Sequence, residues 1–425
     1  MNRVYLRNAG VCSAFGGNDA TWAALMAGKS GVGRIANFDA AGLGLPTQVA
    51  SEIPAFDEEA LAHLGLRTRD LAGEISPFVL YALAAAHETM GGLNWRDAPL
   101  ADQLRAGICL GSGGSGLPAF EALTEATLAG YPERKERLRH MRDIFRFLIN
   151  MPTGQLSIRY GLRGPEETFG DACAAGLKAI IGAVRCVLLD EADVMLAGGT
   201  EAVICRTAMA AFNLMDPRGS TGGAMTLHND DPAGASCPGS VNHDGFVMGE
   251  GAATVLVQKE PPASGFYAEV AGYASTGDAD NMAVPPGDGS AAYNALNLAL
   301  SRAGMPPEGL DAVILHYTST AAGDKAESLG LRNLLGDHAA KVMAYAPKAA
   351  LGHWLGASGP LGTWVAMQAM QRHELPPALN LTPETLDPDC AGLGHFVRGK
   401  PIKVVAVLAM GFGGTNAALV LKLPD

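Results

Sequence analysis

Short runs of mostly apolar residues recur along the chain, separated by longer stretches whose apolar residues fall at helical spacing. The runs at 3–6 (RVYL), 107–110 (GICL), 194–197 (VMLA), 253–257 (ATVLV), 266–270 (FYAEV), 312–315 (AVIL), 403–408 (KVVAVL) and 417–422 (AALVLK) predict strands. Segments 76–90, 173–189 and 290–304 predict helices. Strands alternating with helices predict an α/β protein. The stretch Pro261–Gly265 (PPASG) follows one strand and precedes another, so it marks a boundary between two halves, 1–260 and 261–425. Each half closes on a glycine-containing loop feeding an apolar strand, GEGAATVLV in the first and GFGGTNAALVL in the second. That parallel predicts an internal duplication of one βαβ-rich unit.

Composition supports a large core: of 425 residues, 48% are hydrophobic and only 17% charged. The 54 glycines cluster in GG, GSGG and GFGG groups, which read as tight turns and close backbone approaches. A formal net charge of −12 argues against a general nucleic-acid binder. The densest basic run, Arg134, Lys135, Arg137, Arg139, Arg142 and Arg146, reads as a solvated helix. The seven cysteines are odd in number and form no CxxC pair, so neither a disulfide framework nor a zinc site is expected, and reduced thiols point to the cytoplasm. The first residues enter a strand-like run without a signal peptide's apolar core, and no run approaches the ~20 apolar residues of a membrane span.

Within this frame a few segments carry chemistry. Cys173, in FGDACAAG, opens an Ala-rich helix. A helix N-terminus favours thiolate, and the small neighbours Ala172, Ala174, Ala175 and Gly176 suit a crowded elbow. His316 ends a strand and precedes three hydroxyl residues, Thr318, Ser319 and Thr320, which could hold a substrate arm. Lys348 and His353 share PKAALGHWLG, and MGFGGTN at 410–416 could present backbone N–H groups to an oxyanion. It lacks the GxxxxGK[ST] phosphate pattern. A thiol, two imidazoles and an ammonium suit making or breaking a thioester, because the thiol's acyl product stays activated for a second step.

In order and spacing these motifs resemble the β-ketoacyl-acyl carrier protein synthases, elongating condensing enzymes of fatty acid and polyketide synthesis. The resemblance spans nearly the whole chain. It takes in GGNDATWAALMAGKSGVGRIANFD, LINMPTGQLSIRYGLRGP, DGFVMGEGAA, HYTSTAAGDKAE, PKAALGHWLGASG and GFGGTNAALVL. It implies a thiolase fold, two similar halves in a five-layered αβαβα sandwich, usually a dimer. It also implies roles. Cys173 takes the acyl chain from an acyl carrier protein. His316 and His353 bind the malonyl thioester carbonyl and stabilise the enolate left by decarboxylation, while Lys348 sets the local electrostatics. The N–H groups of Cys173 and Phe412 form the oxyanion hole, and Phe412 gates the acyl pocket. Thr318 and Thr320 bind the phosphopantetheine arm. No metal or redox cofactor is implied, since substrates ride on the carrier's phosphopantetheine.

The chain departs from the family's pattern in four places, one of them Ala172 just before the Cys in the unusual GDACAAG context. Tyr317 stands where the family has Gly in HGT. The stretch Cys237–Phe246 aligns with a motif like RPFDxxRDGF but carries Gly239 for Phe and Ser240 for Asp. Gly114 stands where related enzymes carry an Ile bounding the acyl tunnel. The expectation is that Gly114 opens the tunnel, and that Tyr317 fills the volume lost at Gly239, reshaping the catalytic end of the acyl pocket. Two other readings compete. A coenzyme A-using thiolase would place a second catalytic Cys late in the chain, but Cys390 lies outside the Gly-rich loop. A non-catalytic chain-length partner would typically lose the nucleophile, which is retained. The resemblance leaves open a homodimer or a heterodimer with a related subunit.

Overall fold

The computed structural model describes residues 3–71, 75–130, 142–215 and 224–424. Its ten-stranded sheet uses β1 (Tyr5–Cys12), β2 (Ala106–Gly111), β3 (Glu166–Phe169), β4 (Val194–Glu201), β5 (Gly251–Gln258), β6 (Tyr267–Gly277), β7 (Ala312–Ile314), β8 (Met343–Tyr345), β9 (Val404–Gly411) and β10 (Thr415–Lys422). Every apolar run named above overlaps one of these strands. The strand order is β8-β7-β9-β10-β6-β1-β5-β4-β2-β3.

Read outward from the central β6–β1 pair, both sides repeat one pattern. β1–β5 and β5–β4 are antiparallel, then β4–β2 and β2–β3 are parallel. On the other side β6–β10 and β10–β9 are antiparallel, then β9–β7 and β7–β8 are parallel. The parallel strands need crossover helices, which set the layers. Helix α1 (Pro77–Met90) covers β1, β4 and β5, with α2 (Met151–Tyr160) beside it. Helix α4 (Ser290–Ala303) covers β6 and β10, with α5 (Ala321–Leu335) beside it. Between the two sheet halves lie α3 (Ala175–Leu188) and α6 (Ser358–Arg372), packed on each other. The result is a five-layered α/β sandwich, the thiolase arrangement.

The middle layer explains the sequence of its helices. A helix covered on every side must be apolar all round, and Ser358 through Met370 of α6 are all buried. By contrast α1 has the usual boundary signals, Pro at its first turn and Gly91 in the left-handed conformation just after it. Among the described residues no helix is long and apolar enough to cross a membrane, and no cluster of metal-ligating side chains occurs. Of the basic run, residues 134–139 lie outside the described residues; Arg146 sits in a four-residue helix, Ile144–Phe147.

Candidate active site

The ends of β3, β7, β8 and β9 converge at one cleft. Cys173 lies between β3 and α3, His316 two residues beyond β7, Lys348 three beyond β8, and Phe412 directly after β9. Placing function at the carboxyl ends of parallel strands is the general habit of α/β sheets. Cys173, Phe246, His316, Thr318, His353 and Phe412 all face this cleft.

Cys173 sits in a tight turn, Ala172–Ala174, ahead of α3. Ala172 has φ of 47°, a left-handed conformation costly for a residue with a Cβ. The strain is held because β9 presses on the elbow. A side chain at Gly411 would lie 3.0 Å from the Cys173 nitrogen and 3.2 Å from that of Ala174. The backbone N–H groups of Phe412 and Cys173 both act on the sulfur to favour its charged form, which makes them the candidates to receive an oxyanion.

His353 Nε2 lies 3.1 Å from Cys173 Sγ, and its Nδ1 lies 2.9 Å from Ser358 Oγ at the start of α6. The His316 ring stands edge-on to that of His353, centroids 5.4 Å apart. Lys348 Nζ approaches His316 Nδ1 at 3.4 Å and also donates to the His316 carbonyl. An ammonium can only donate, so His316 keeps its own proton on Nε2. Glu327 fixes the start of this segment by accepting from the N–H groups of His316 and Tyr317, both at 2.8 Å.

Burial dominates the electrostatics. It pushes Lys348 down to about 8, partly opposed by Glu327. It holds His316 and His353 well below the usual imidazole range, and the Lys348 charge lowers both further. Both rings are therefore neutral near pH 7 and serve as N–H donors or proton acceptors. The helix-terminus argument foresaw a favoured thiolate at Cys173; in the substrate-free site burial wins. It pushes the thiol up to about 12, with Lys348 and the two N–H groups pulling down and Glu201 pushing up. The Cys173 alkylation rate with iodoacetamide should therefore keep rising from pH 6 to pH 9. A plateau below pH 8 would contradict this.

Thr318 and Thr320 line the cleft with their hydroxyl oxygens 2.9 Å apart. Phe412 stacks on Phe212, centroids 6.5 Å apart, and Phe212 meets Phe246 edge-on. Phe246 in turn meets the His353 ring at 5.5 Å, so the Gly-rich loop connects to the catalytic ring through aromatic contacts.

Two expectations need correction. Gly114 does not open a tunnel: a Cβ there would lie 2.3 Å from Val203 Cγ1, so Val203 already occupies the space. Tyr317 and Gly239 are neighbours, a Cβ on Gly239 lying 3.0 Å from the Tyr317 ring. Tyr317 is among the residues lining the cleft, but its ring turns largely into the protein. It is 1% exposed, packs with Leu315, Leu331 and Leu335 in the outer layer, and its hydroxyl bonds to Ser328. Gly239 has φ of 75°, so a Phe restored there would be strained whatever space it found.

Several contributors escaped the sequence reading: Ser358, Glu201, Asp324, Glu327 and His243. Glu201 is fully buried and accepts from Gly113 N (2.7 Å), Gly114 N (3.0 Å) and Gly356 N (3.0 Å). Asp324 and Glu327 are three apart on α5, hence on one face, and that i,i+3 spacing in GDKAE was a readable signal. His243 stands where the aligned motif has Arg. Cys390 is buried beside Ser328, away from the cleft, so it offers no second nucleophile.

Comparison with known proteins agrees with this arrangement. The family models for the β-ketoacyl synthase N-terminal and C-terminal domains match residues 9–263 and 267–382. The 3-oxoacyl-[acyl-carrier-protein] synthase 2 of Rhizobium meliloti (strain 1021) is 35% identical over 432 residues, covering 99% of each chain. A β-ketoacyl synthase from Burkholderia phymatum STM815 superposes with a TM-score of 0.84 at 27% identity, covering 100% of each chain. The ishigamide ketosynthase/chain length factor superposes with a TM-score of 0.82, also at 27% identity and 100% coverage. With both family models matched in order along most of its length, the chain belongs to the β-ketoacyl synthase family.

Proposed function

We propose that this protein is a 3-oxoacyl-acyl carrier protein synthase, joining an acyl group held on Cys173 to a malonyl thioester with loss of carbon dioxide. The observation that carries the reading is the single cleft in which the Cys173 thiol, two neutral imidazoles and two backbone N–H groups meet.

The steps follow from that geometry. His353 Nε2, 3.1 Å from the thiol, accepts its proton as sulfur attacks the acyl thioester. The tetrahedral oxyanion is received by the N–H groups of Cys173 and Phe412. The carrier thiolate leaves and takes that proton from His353, which then shifts to its Nε2–H tautomer with the Ser358 hydroxyl donating to Nδ1, and the acyl group stays on Cys173. A malonyl thioester then binds with its carbonyl oxygen toward His316 and His353. Its C–CO₂ bond breaks, and the electron pair forms an enolate stabilised by the two Nε2–H donors. The enolate carbon attacks the Cys173 thioester, the second tetrahedral intermediate collapses, and the thiolate is released to be reprotonated. Lys348 fixes the His316 tautomer. Thr318 and Thr320 would take the phosphopantetheine arm, and residues 1–260 would supply the nucleophile while 261–425 supply the two histidines.

The reading is tested by incubating the protein with acyl-loaded carrier protein and mapping the adduct by mass spectrometry. The acyl group should be on Cys173. An adduct on Cys186 or Cys205 with Cys173 free would reject it.

The carrier protein is the expected partner, together with a second copy of this chain or a related subunit; the name of the ishigamide structure pairs a ketosynthase with a chain length factor. Carriers are acidic and this chain has a net charge of −12, so docking needs a local basic patch. Arg67 and Arg69 are exposed, one just ahead of and one within the helical turn Thr68–Leu71, and supply part of one. Reversing both charges should raise KM for carrier-bound substrate by about tenfold and spare a free pantetheine thioester. Equal losses on both substrates would argue against docking there.

A further inference from the structure

The Thr318–Ser319–Thr320 turn is held in an unfavourable shape. Ser319 is buried and has φ of 66°, a left-handed conformation for a residue with a side chain. Three bonds hold it. The Cys237 N–H donates to Ser319 Oγ at 3.1 Å, and the Gly245 N–H donates to the Ser319 carbonyl at 2.9 Å. The Thr318 N–H donates to Asp324 Oδ1 at 2.9 Å. Two of these donors belong to the 237–245 loop, so the turn is only as well defined as that loop.

His243 is one of the anchors of that loop, beside the Val241 N–H bonded to the Thr385 carbonyl at 2.8 Å. The His243 Nδ1 lies 3.2 Å from Asp324 Oδ2, and its Nε2 lies 3.4 Å from Asp387 Oδ2. Carboxylate oxygens only accept, so Nδ1 donates to Asp324, while Nε2 faces Asp387 and the ring sits between the two acids. The same Asp324 oxygen takes the Gly239 N–H at 2.8 Å, and the Asp387 N–H donates to the Gly239 carbonyl at 2.9 Å. Lys325 holds Asp387 from the outside at 3.2 Å. His243 and Asp324 are buried, and neither touches the cleft's reacting atoms.

We propose that His243 is a positioning residue for substrate-arm recognition: by sitting between Asp324 and Asp387 it helps hold the strained turn that presents the Thr318 and Thr320 hydroxyls to the cleft. The inference rests on those hydroxyls binding the pantetheine arm, as proposed above. It assigns His243 to arm binding rather than to acyl transfer or decarboxylation.

The test compares two probes. Malonyl-pantetheine carries the arm, and its Kd can be measured by calorimetry in a His316→Ala background, where decarboxylation is slowed. Phenyl thiohexanoate acylates a thiol and has no arm. His243→Ala should weaken malonyl-pantetheine binding by about tenfold, the scale of one lost charged hydrogen bond. Cys173 acylation by phenyl thiohexanoate should stay within about twofold of the parent and kcat within about threefold, effects too small to involve the reacting groups. His243→Arg offers N–H donors to both Asp324 and Asp387 and should restore Kd to within about threefold. Asp387→Asn loosens the same contact from its outer end and should shift Kd in the same direction; it stands in where His243→Ala fails to fold. An unchanged Kd in His243→Ala or Asp387→Asn, an equal loss with both probes, or an Arg variant as weak as Ala would each overturn the proposal. Failure of the parent protein to condense substrates, with the Kd pattern intact, would reject the proposed reaction but not the clamp.

Discussion

Replacing Cys173 with Ala should abolish condensation, lowering it by roughly four orders of magnitude or more, the scale seen when a covalent nucleophile is removed. No other thiol can take over, because Cys186 and Cys205 are buried outside the cleft lining. The fold should survive. The exchange removes one sulfur from a site 5% exposed, a loss of about 1 kcal/mol on the scale of small core truncations. Circular dichroism and a thermal melt check the fold, and product formation checks the chemistry. Malonyl decarboxylation should be less affected than condensation, because the two imidazoles and Lys348 remain. Condensation above a tenth of the parent rate would mean that the acyl group is carried elsewhere.

The second large effect concerns the two histidines. His316→Ala or His353→Ala should lower malonyl decarboxylation by at least ~100-fold, since each removes one donor to the developing enolate in a site where burial strengthens such bonds. The variants should differ in acyl transfer. His353 Nε2 lies 3.1 Å from Cys173 Sγ, within reach of its proton, so acylation should slow more in His353→Ala. Both rings are held neutral well below the usual range by burial and by Lys348. Decarboxylation should therefore hold level from pH 7 down through pH 6 and fall only at more acid pH, where the rings take up protons. Near-normal decarboxylation in both variants would reject the two-histidine mechanism.

Much of this was legible in the sequence because it depends on local pattern. The strand runs appear at their predicted places since each is an apolar segment bounded by turn residues. Cys173, His316, Lys348, His353 and Phe412 stand out because each follows a strand in a distinctive short motif. What was not legible depends on contacts between distant segments. The volume beside Gly114 is filled by Val203, 89 residues later in the chain. The direction of the Tyr317 ring follows from Glu327 holding its N–H and Ser328 holding its hydroxyl, both on α5. Whether Cys173 favours thiolate is decided by burial beside Glu201, which outweighs the turn's N–H groups. His243 looked like an ordinary loop residue until Asp324 and Asp387 were placed on either side of it.

The central claim is that carbon–carbon bond formation on Cys173 is coupled to loss of carbon dioxide. The most direct measurement loads Cys173 from an acyl-carrier thioester, removes the donor, and adds malonyl-carrier protein labelled in its free carboxyl. A single turnover should release labelled carbon dioxide and 3-oxoacyl-carrier protein in equal amounts while Cys173 returns to the free thiol. Transfer of the acyl group to the second carrier with the malonyl carboxyl intact, or carbon dioxide release with Cys173 still acylated, would contradict it.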